Sequence, residues 1–335
     1  MEPTDGIVES ARRLADDVLF PGALEVDASE LVPLERLDAL AGAGLYGLAG
    51  PREAGGLGAD LGTFSGVMEA LAGGCLTTAF VWAQHHGAVR TLAAAAPSAL
   101  RSEWLGPLCN GERRAGAAFA GLRRPGPPVL TARPADGGYE LEGSAPWVTG
   151  WGRIDVVHVA ARTDDGRVVW SLLDATASPT LAVEPLRLAA LDASGTVTLR
   201  FSGQRVPEAR VTLVEEVQAW RTRDAAGLRP NASHALGVAG RALALIGGSS
   251  LDAELAACRS SLDAAAPAGL PAARAWASEL AVRAASLLVV AGGGRSVLRS
   301  SHAQRLAREA MFLLVFGQTA EIRTEQLTRL APPAA

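Results

Sequence analysis

The stretch "SAPWVTGWGRIDVV", Ser144 to Val157, sets two tryptophans, Trp147 and Trp151, around Thr149 and Gly150. At a strand and loop on the edge of a β domain, this brings together an aromatic wall, a hydroxyl and free backbone amides. Such a set suits a flat heteroaromatic ligand, stacked on its face and hydrogen-bonded at its edge. A tryptophan plug in a core explains the same residues equally well, so the surroundings must decide.

On both sides the texture is β. "VLTARPADGGYELEG", "DVVHVAARTDDGRVVWSLLDA" and "TVTLRFSGQRV" are short β-branched runs parted by Asp-Gly or Gly-Gly turns, which read as antiparallel hairpins. The turn at Asp165-Gly166 is the clearest. A middle β domain is expected over residues 115–214, between a helical domain at 1–114 and a helical bundle at 215–335. "GIVESARRLADDVL" and "LVPLERLDALAGAGL" carry apolar residues at helical spacing. Beyond the β region, "NASHALGVAGRALALIGG", "PAARAWASELAVRAASLLVVAGGG", "HAQRLAREAMFLLVFG" and the shorter "AEIRTEQLTRL" predict an antiparallel four-helix bundle.

The bulk properties exclude several functions. The 335 residues carry 20% charged and 49% hydrophobic residues with a net charge of -4, so neither nucleic acid nor an anionic membrane is expected as a partner. No unbroken apolar window of about 18 residues occurs, and "MEPTDGIVESARR" lacks the basic then apolar pattern of a signal peptide, so a cytoplasmic location is expected. All 31 basic residues are arginine; with no lysine, Schiff-base chemistry and a Walker-type phosphate lysine are impossible. Cys75, Cys109 and Cys258 are too scattered for a disulfide framework or a zinc site and read as small buried hydrophobes. None of the five histidines, His85, His86, His158, His234 and His302, has metal-ligand spacing.

"GAGLYG", Gly42 to Gly47, matches a dinucleotide fingerprint in letters only. A helix precedes it and no βαβ series follows, so it reads as a helix stop and loop. In "MFLLVFGQTAEIRTEQL", Met311 to Leu327, Phe316-Gly317 ends one helix, Thr319 caps the next, and Glu321 lies where a positive helix end favours an acid.

With these segments in this order, the chain resembles the acyl-CoA dehydrogenase family. "LDALAGAGLYGLAGPREAGGLGADL" looks like the family's N-terminal helix and loop, "YELEGSAPWVTGWGRIDVVHVAART" like its middle-domain signature, and "AQRLAREAMFLLVFGQTAEIR" like its final helices. The resemblance implies an α+β fold with an N-terminal helical domain, a middle antiparallel β domain and a C-terminal four-helix bundle. It also implies FAD, with Trp147 against the isoalloxazine, Thr149 near its N5 edge, and Thr319 and Glu321 at cofactor-contacting positions. The turn Gly292 to Arg295 is the nearest counterpart of the turn that serves the adenosine half across a subunit boundary.

The departures concern chemistry. Aligned on Thr319-Ala320-Glu321-Ile322, the family's catalytic glutamate falls at Gly317; at its other known location stand Gly227 and Leu228. Leu122 replaces a flavin-contacting threonine in "AFAGLRRPGPP", and "CRSSLDAA" replaces an Arg-x-x-Phe-Gly segment. Asp224 and His234 are the nearest ionisable substitutes, the former otherwise a cap and the latter a surface or packing residue. The expected function is an FAD-dependent oxidoreductase acting on an acyl thioester, with a non-standard or absent base. The alternatives are a flavin monooxygenase of the same fold and a catalytically silent subunit that needs a partner. A homodimer, a homotetramer or a hetero-oligomer with a related chain is expected.

Overall fold

Four of the helices start at a side chain that accepts from one of their free amides: Asp60, Ser98, Ser301 and Thr319. The computed structural model describes residues 3–96 and 98–331, so Met1 and Glu2 of the polar N-terminal stretch lie outside the described residues. The N-terminal region holds α1 (Pro3–Leu14), continued by a π-helical turn, then α2 (Ala23–Ala28), α3 (Leu34–Gly42), α4 (Leu61–Gly74), α5 (Leu76–Ala94) and α6 (Ala99–Cys109). Asp60 caps α4, accepting from the Thr63 amide at 2.7 Å, and Ser98 caps α6, accepting from Arg101. Hydrogen bonds from residues 62 and 63, Thr63 above all, hold the exposed Asp60 carboxyl below its usual range. After α3 the chain turns through a left-handed Gly44, so "GAGLYG" is the helix stop and loop that the absence of a preceding strand predicts.

The middle region is β1 (Ala115–Ala118), β2 (Leu130–Ala135), β3 (Gly138–Val148), β4 (Val156–Arg162), β5 (Arg167–Asp174), β6 (Leu181–Pro185), β7 (Val197–Pro207) and β8 (Val211–Glu216). They form one sheet in the order β6-β7-β3-β2-β4-β5-β8, with β1 added beside β4. The β4–β5 hairpin closes at the expected Asp165-Gly166, with Gly166 at φ 87°. The sheet is not wholly antiparallel. β1 runs parallel to β4, and β2 meets β4 in a single parallel bridge, because the long connection from β3 returns the chain on the far side of β2.

The C-terminal region holds α7 (Val217–Ala226), α8 (Leu228–Ile246), α9 (Leu251–Ala264), α10 (Leu270–Gly292), α11 (His302–Val315) and α12 (Ala320–Leu330). The four predicted helices are α8, α10, α11 and α12; α7 and α9 are additional. The stretch Pro267–Val297 is long and apolar enough to cross a membrane by length and composition. In the fold its α10 portion is the bundle's central helix, packed against α8, α9, α11 and α12.

One large apolar core joins the N-terminal region to the bundle, through Leu71 of α4, Trp82 of α5, Leu236 of α8, Leu280 of α10 and Leu306 of α11. α4 and α8 approach at Gly73 and Gly237, where a Cβ on Gly237 would strike the Glu69 carbonyl oxygen. A second core fills one face of the sheet around Leu141, Val159 and Phe201. A small cluster seats α7 on the sheet through Trp220, Trp170, Phe119 and Leu122. All three cysteines are buried and free, as expected.

Candidate functional site

β3 ends in an irregularity. Its register against β7 shifts between Ala145 and Val148, and Trp147 in that bulge adopts φ 63°, a left-handed conformation unusual for an aromatic residue. Trp147 is 50% exposed, between the buried Ala145 and Val148. Such a backbone persists only where the surroundings enforce it, and here they present a bare aromatic face.

The loop after Trp147 is fixed by its own hydrogen bonds. Thr149 is 3% exposed, and its Oγ1 lies 2.9 Å from Oγ1 of Thr196, which is in turn 2.8 Å from Oγ of Ser194. The Gly150 and Trp151 amides donate to the carbonyls of Ser194 and Gly195 at 2.9 and 3.0 Å. These amides are therefore not free for a ligand, because the loop zips onto the segment before β7. Trp151 packs against the sheet core, so the aromatic wall is Trp147 alone.

The break between α11 and α12 is braced from inside the bundle. Arg274, 2% exposed on α10, donates through Nη2 to the carbonyls of Leu313 and Phe316 at 3.3 and 3.4 Å and through Nη1 to Ser278. A cation at a helix C-terminus is favoured, yet burial pushes the Arg274 guanidinium down to about 10, with Arg123 adding in the same direction. Gln318 and Gln326 share the Leu314 carbonyl. Gly317 takes φ 60°, and Thr319 caps α12 by accepting from the Ile322 amide. Glu321 is exposed, and its carboxyl is lowered by a hydrogen bond from Thr319 and by its own amide.

These two features meet through a third, the 3-10 turn Ala120–Arg123. A Cβ on Gly121 would lie 4.0 Å from Cδ of Pro146, next to Trp147. Two residues on, Arg123 Nη1 lies 3.3 Å from where a Cβ on Gly317 would be. Arg123 Nε and Nη2 donate to the two oxygens of Asp224 at 2.8 and 2.6 Å, a bidentate pair whose side chains are each 16% exposed. Asp224 is thus no helix cap. It stands in the last turn of α7, and the backbone closes that helix.

Aromatic rings pack behind the break. Phe316 meets Phe80 of α5 edge-on at 4.8 Å, His234 of α8 at 5.6 Å, and stacks with Phe312 at 5.7 Å. His234 is fully buried, so it is a packing residue and not a surface one. Its Nδ1 lies 3.2 Å from the Asn231 carbonyl and must donate to it; Nε2 has no partner. Burial holds the imidazole down to about 4. His85 and His86 lie deep in α5, and among the described residues no group of His, Cys, Asp or Glu could hold a metal ion.

The turn Ala120–Arg123 thus reaches Pro146 at the end of β3 and Gly317 at the helix break, while Thr149 serves the loop after β3. Sequence reading missed Arg123, Phe80 and Trp220. The "LRRPGPP" loop advertised a basic pair, but its carboxylate partner is 101 residues away.

Helices on either side of a β sheet, closed by a bundle, are the architecture of the acyl-CoA dehydrogenases. Residues 2–112 match the family described as "Acyl-CoA dehydrogenase, N-terminal domain". The chain is 30% identical over 168 residues to (2S)-methylsuccinyl-CoA dehydrogenase of Cereibacter sphaeroides, covering 49% of this chain and 30% of that protein. It spans about half, or less, of the length of most of the curated relatives it matches. A glutaryl-CoA dehydrogenase from Mycobacterium smegmatis, solved in complex with FADH2, superimposes with a TM-score of 0.83 at 19% identity, covering 100% of this chain and 96% of that one. The ChsE4-ChsE5 complex from Mycobacterium tuberculosis gives 0.80 at 23% identity, covering 100% and 99%. Sequence match and fold together bear out the resemblance to the acyl-CoA dehydrogenase family.

Proposed function

We propose that the chain is an FAD-dependent, acyl-CoA dehydrogenase-like oxidoreductase that acts on an acyl thioester. The observation that carries this is Trp147, an indole held in a strained, half-exposed pose at the end of β3 and linked by the turn Ala120–Arg123 to the break at Gly317. A bare aromatic face suits a stacked isoalloxazine, and a capped helix start suits a hydrogen-bonded polar edge. Trp147 would hold the ring, Thr319 and Glu321 would flank it from the start of α12, and Thr149 would act mainly through the loop it pins. When bound, the flavin supplies a two-electron acceptor for the β hydride of the thioester. The relative and the structure named above that act on methylsuccinyl-CoA and glutaryl-CoA support an acyl-CoA as the substrate class. The test is the visible spectrum of the purified chain, followed by anaerobic titration with acyl-CoAs. A flavin spectrum bleached by a thioester is expected; a chain that takes up no FAD from excess would sink the reading.

A second reading has its own observation. The space behind Gly317 is filled by Phe80, His234, Phe312 and Phe316 and fronted by the Arg123–Asp224 pair, so a subunit that holds flavin but leaves oxidation to a partner also fits. Leu287 and Val290 of α10, Val297 and Leu298 of the following turn, and Met311 and Val315 of α11 leave an apolar surface exposed. This surface supports assembly with a second chain, and a solved neighbour of this fold is itself a complex, ChsE4-ChsE5. Light scattering of the pure chain, alone and coexpressed with a related chain, separates a self-assembled oligomer from a mixed one.

A further inference from the structure

We propose that the segment from Leu186 to Thr196, between β6 and β7, is a strap through which the helices hold Trp147 in its pose, with Leu191 and Arg308 as positioning residues. This rests on the reading of Trp147 as the face on which the flavin stacks. Among the described residues only two besides glycine take left-handed backbone, Trp147 at φ 63° and Leu191 at φ 59°. They lie on two segments bonded to each other, and strain of this kind persists only where the surroundings over-determine it.

The bulge that carries Trp147 is a matter of register. Ala145 pairs with Leu199 and Val148 with Val197, so Pro146 and Trp147 on β3 stand opposite Thr198 alone on β7. Past Val148 the alignment continues beyond the strands. Thr149 Oγ1 bonds to Thr196 Oγ1, and the amides of Gly150 and Trp151 donate to Ser194 and Gly195. The Leu186 amide closes the base of the strap by donating to the Thr196 carbonyl at 3.0 Å. Residues 194–197 are therefore the anchor on which the bulge turns, and they are the end of the strap.

The tip of the strap is held by the helices and not by the sheet. Ala190, Leu191 and Ala193 are buried in the large core shared by the N-terminal region and the bundle, and none of them belongs to the core of the sheet. The Val32 amide, between α2 and α3, donates to the Ala193 carbonyl at 2.8 Å, and the Val32 carbonyl accepts from Arg153 Nε at 2.6 Å, so one residue grips both loops. Arg308 of α11 donates through Nη1 to the Ala189 carbonyl at 3.1 Å and forms a bidentate pair with Asp27 of α2. A single guanidinium thus ties the bundle, the N-terminal region and the strap together. Left-handed backbone is unfavourable for leucine, so the burial of its side chain among the helices has to hold Leu191 there. Slack at the tip would pass to residues 194–197 and from them to Trp147.

The test reads the strap with and without flavin. Arg308→Gln removes the clasp at a position that is a third exposed, so the fold is expected to survive. In the full chain freed of flavin, hydrogen exchange at the Gly150 and Trp151 amides is expected to quicken about tenfold, while the β4–β5 hairpin keeps its wild-type protection. By equilibrium dialysis, Arg308→Gln is expected to weaken FAD binding about tenfold in the native background and less than about twofold in a Trp147→Ala background, since independent sites would give equal losses. Arg308→Lys, which keeps a cation beside Asp27 with fewer donors, should fall between. Leu191→Ala, which empties the tip of the strap, should reproduce both effects. Unchanged exchange at Gly150 and Trp151 in both Arg308→Gln and Leu191→Ala, or an equal loss of FAD affinity in the two backgrounds, overturns the proposal. A wild type that takes up no FAD, with exchange quickened in the variants, upholds the strap and defeats the flavin reading alone. FAD uptake with unchanged exchange does the reverse.

Discussion

Gly317 holds φ 60°, a conformation that costs a side-chain-bearing residue about 1–2 kcal/mol. Gly317→Glu is expected to lower stability by about that much, less whatever the new carboxylate gains from Arg123 Nη1. Gly317→Asn should cost less, because asparagine tolerates the left-handed region; urea unfolding of the two variants checks the order. At the other end of the site the hydroxyls of Thr149, Thr196 and Ser194 satisfy one another. Thr196→Val keeps the shape and strands two buried hydroxyls, so a loss of about 1–3 kcal/mol is expected. If Trp147 is posed by this loop, the same variant should weaken flavin retention, read by equilibrium dialysis. At this scale the sequence was legible where chemistry is local. The helix break at Gly317, the cap at Thr319 and the turn at Asp165-Gly166 all follow from short-range preferences. The bidentate Arg123–Asp224 pair and the spent amides of Gly150 and Trp151 were not legible, since each depends on a partner far along the chain.

Elements obeyed the same division. α8, α10 and α11 bury enough leucine, valine and alanine at helical spacing to announce themselves. α9 buries only Leu255, Cys258 and Leu262 among alanines, serines and acids, so its stripe is thin. β1 is "AGAA", four residues without a β-branched side chain, and exists because β4 offers it a parallel edge. The break between α11 and α12 belongs to this scale as well, because its geometry is set by α10. Arg274→Met would remove a desolvated cation but leave the Leu313 and Phe316 carbonyls without their donor. A net loss of about 1–3 kcal/mol is expected. It should come with faster amide hydrogen exchange confined to residues 313–319; uniform protection there would show that the glutamines alone brace the break.

The whole molecule carries its histidines in an unusual way. His85 and His158 are held down to about 3 and His234 to about 4, all by burial, and His86 lies well below the usual range for the same reason. His302, half-buried against Phe20 and near Arg305 and Arg241, is also lowered, to about 4. A histidine whose folded pKa is depressed stabilises the fold fully above its unfolded value near 6.5. As pH falls below that value the unfolded chain takes up protons that the folded chain refuses, so stability drops until the folded pKa is reached. Each fully buried histidine contributes a slope of at most about 1.4 kcal/mol per pH unit in this window. Glu309 works in the opposite direction, because burial raises its carboxyl despite Arg305 and protonation at low pH relieves it. That is one carboxyl against four buried imidazoles from three regions of the chain, so the histidines dominate. The melting temperature should therefore fall steeply between pH 6.5 and pH 4.5, with proton uptake on unfolding of more than two per chain by calorimetry in buffers of different ionisation enthalpy. His158→Gln, whose amide can still reach Thr212, should reduce that uptake by about one proton without touching the site around Gly317. An uptake of one or fewer in the wild type would mean that water reaches these rings in the native state, and the tight core joining α5, α8 and the sheet would have to open more readily than its packing implies.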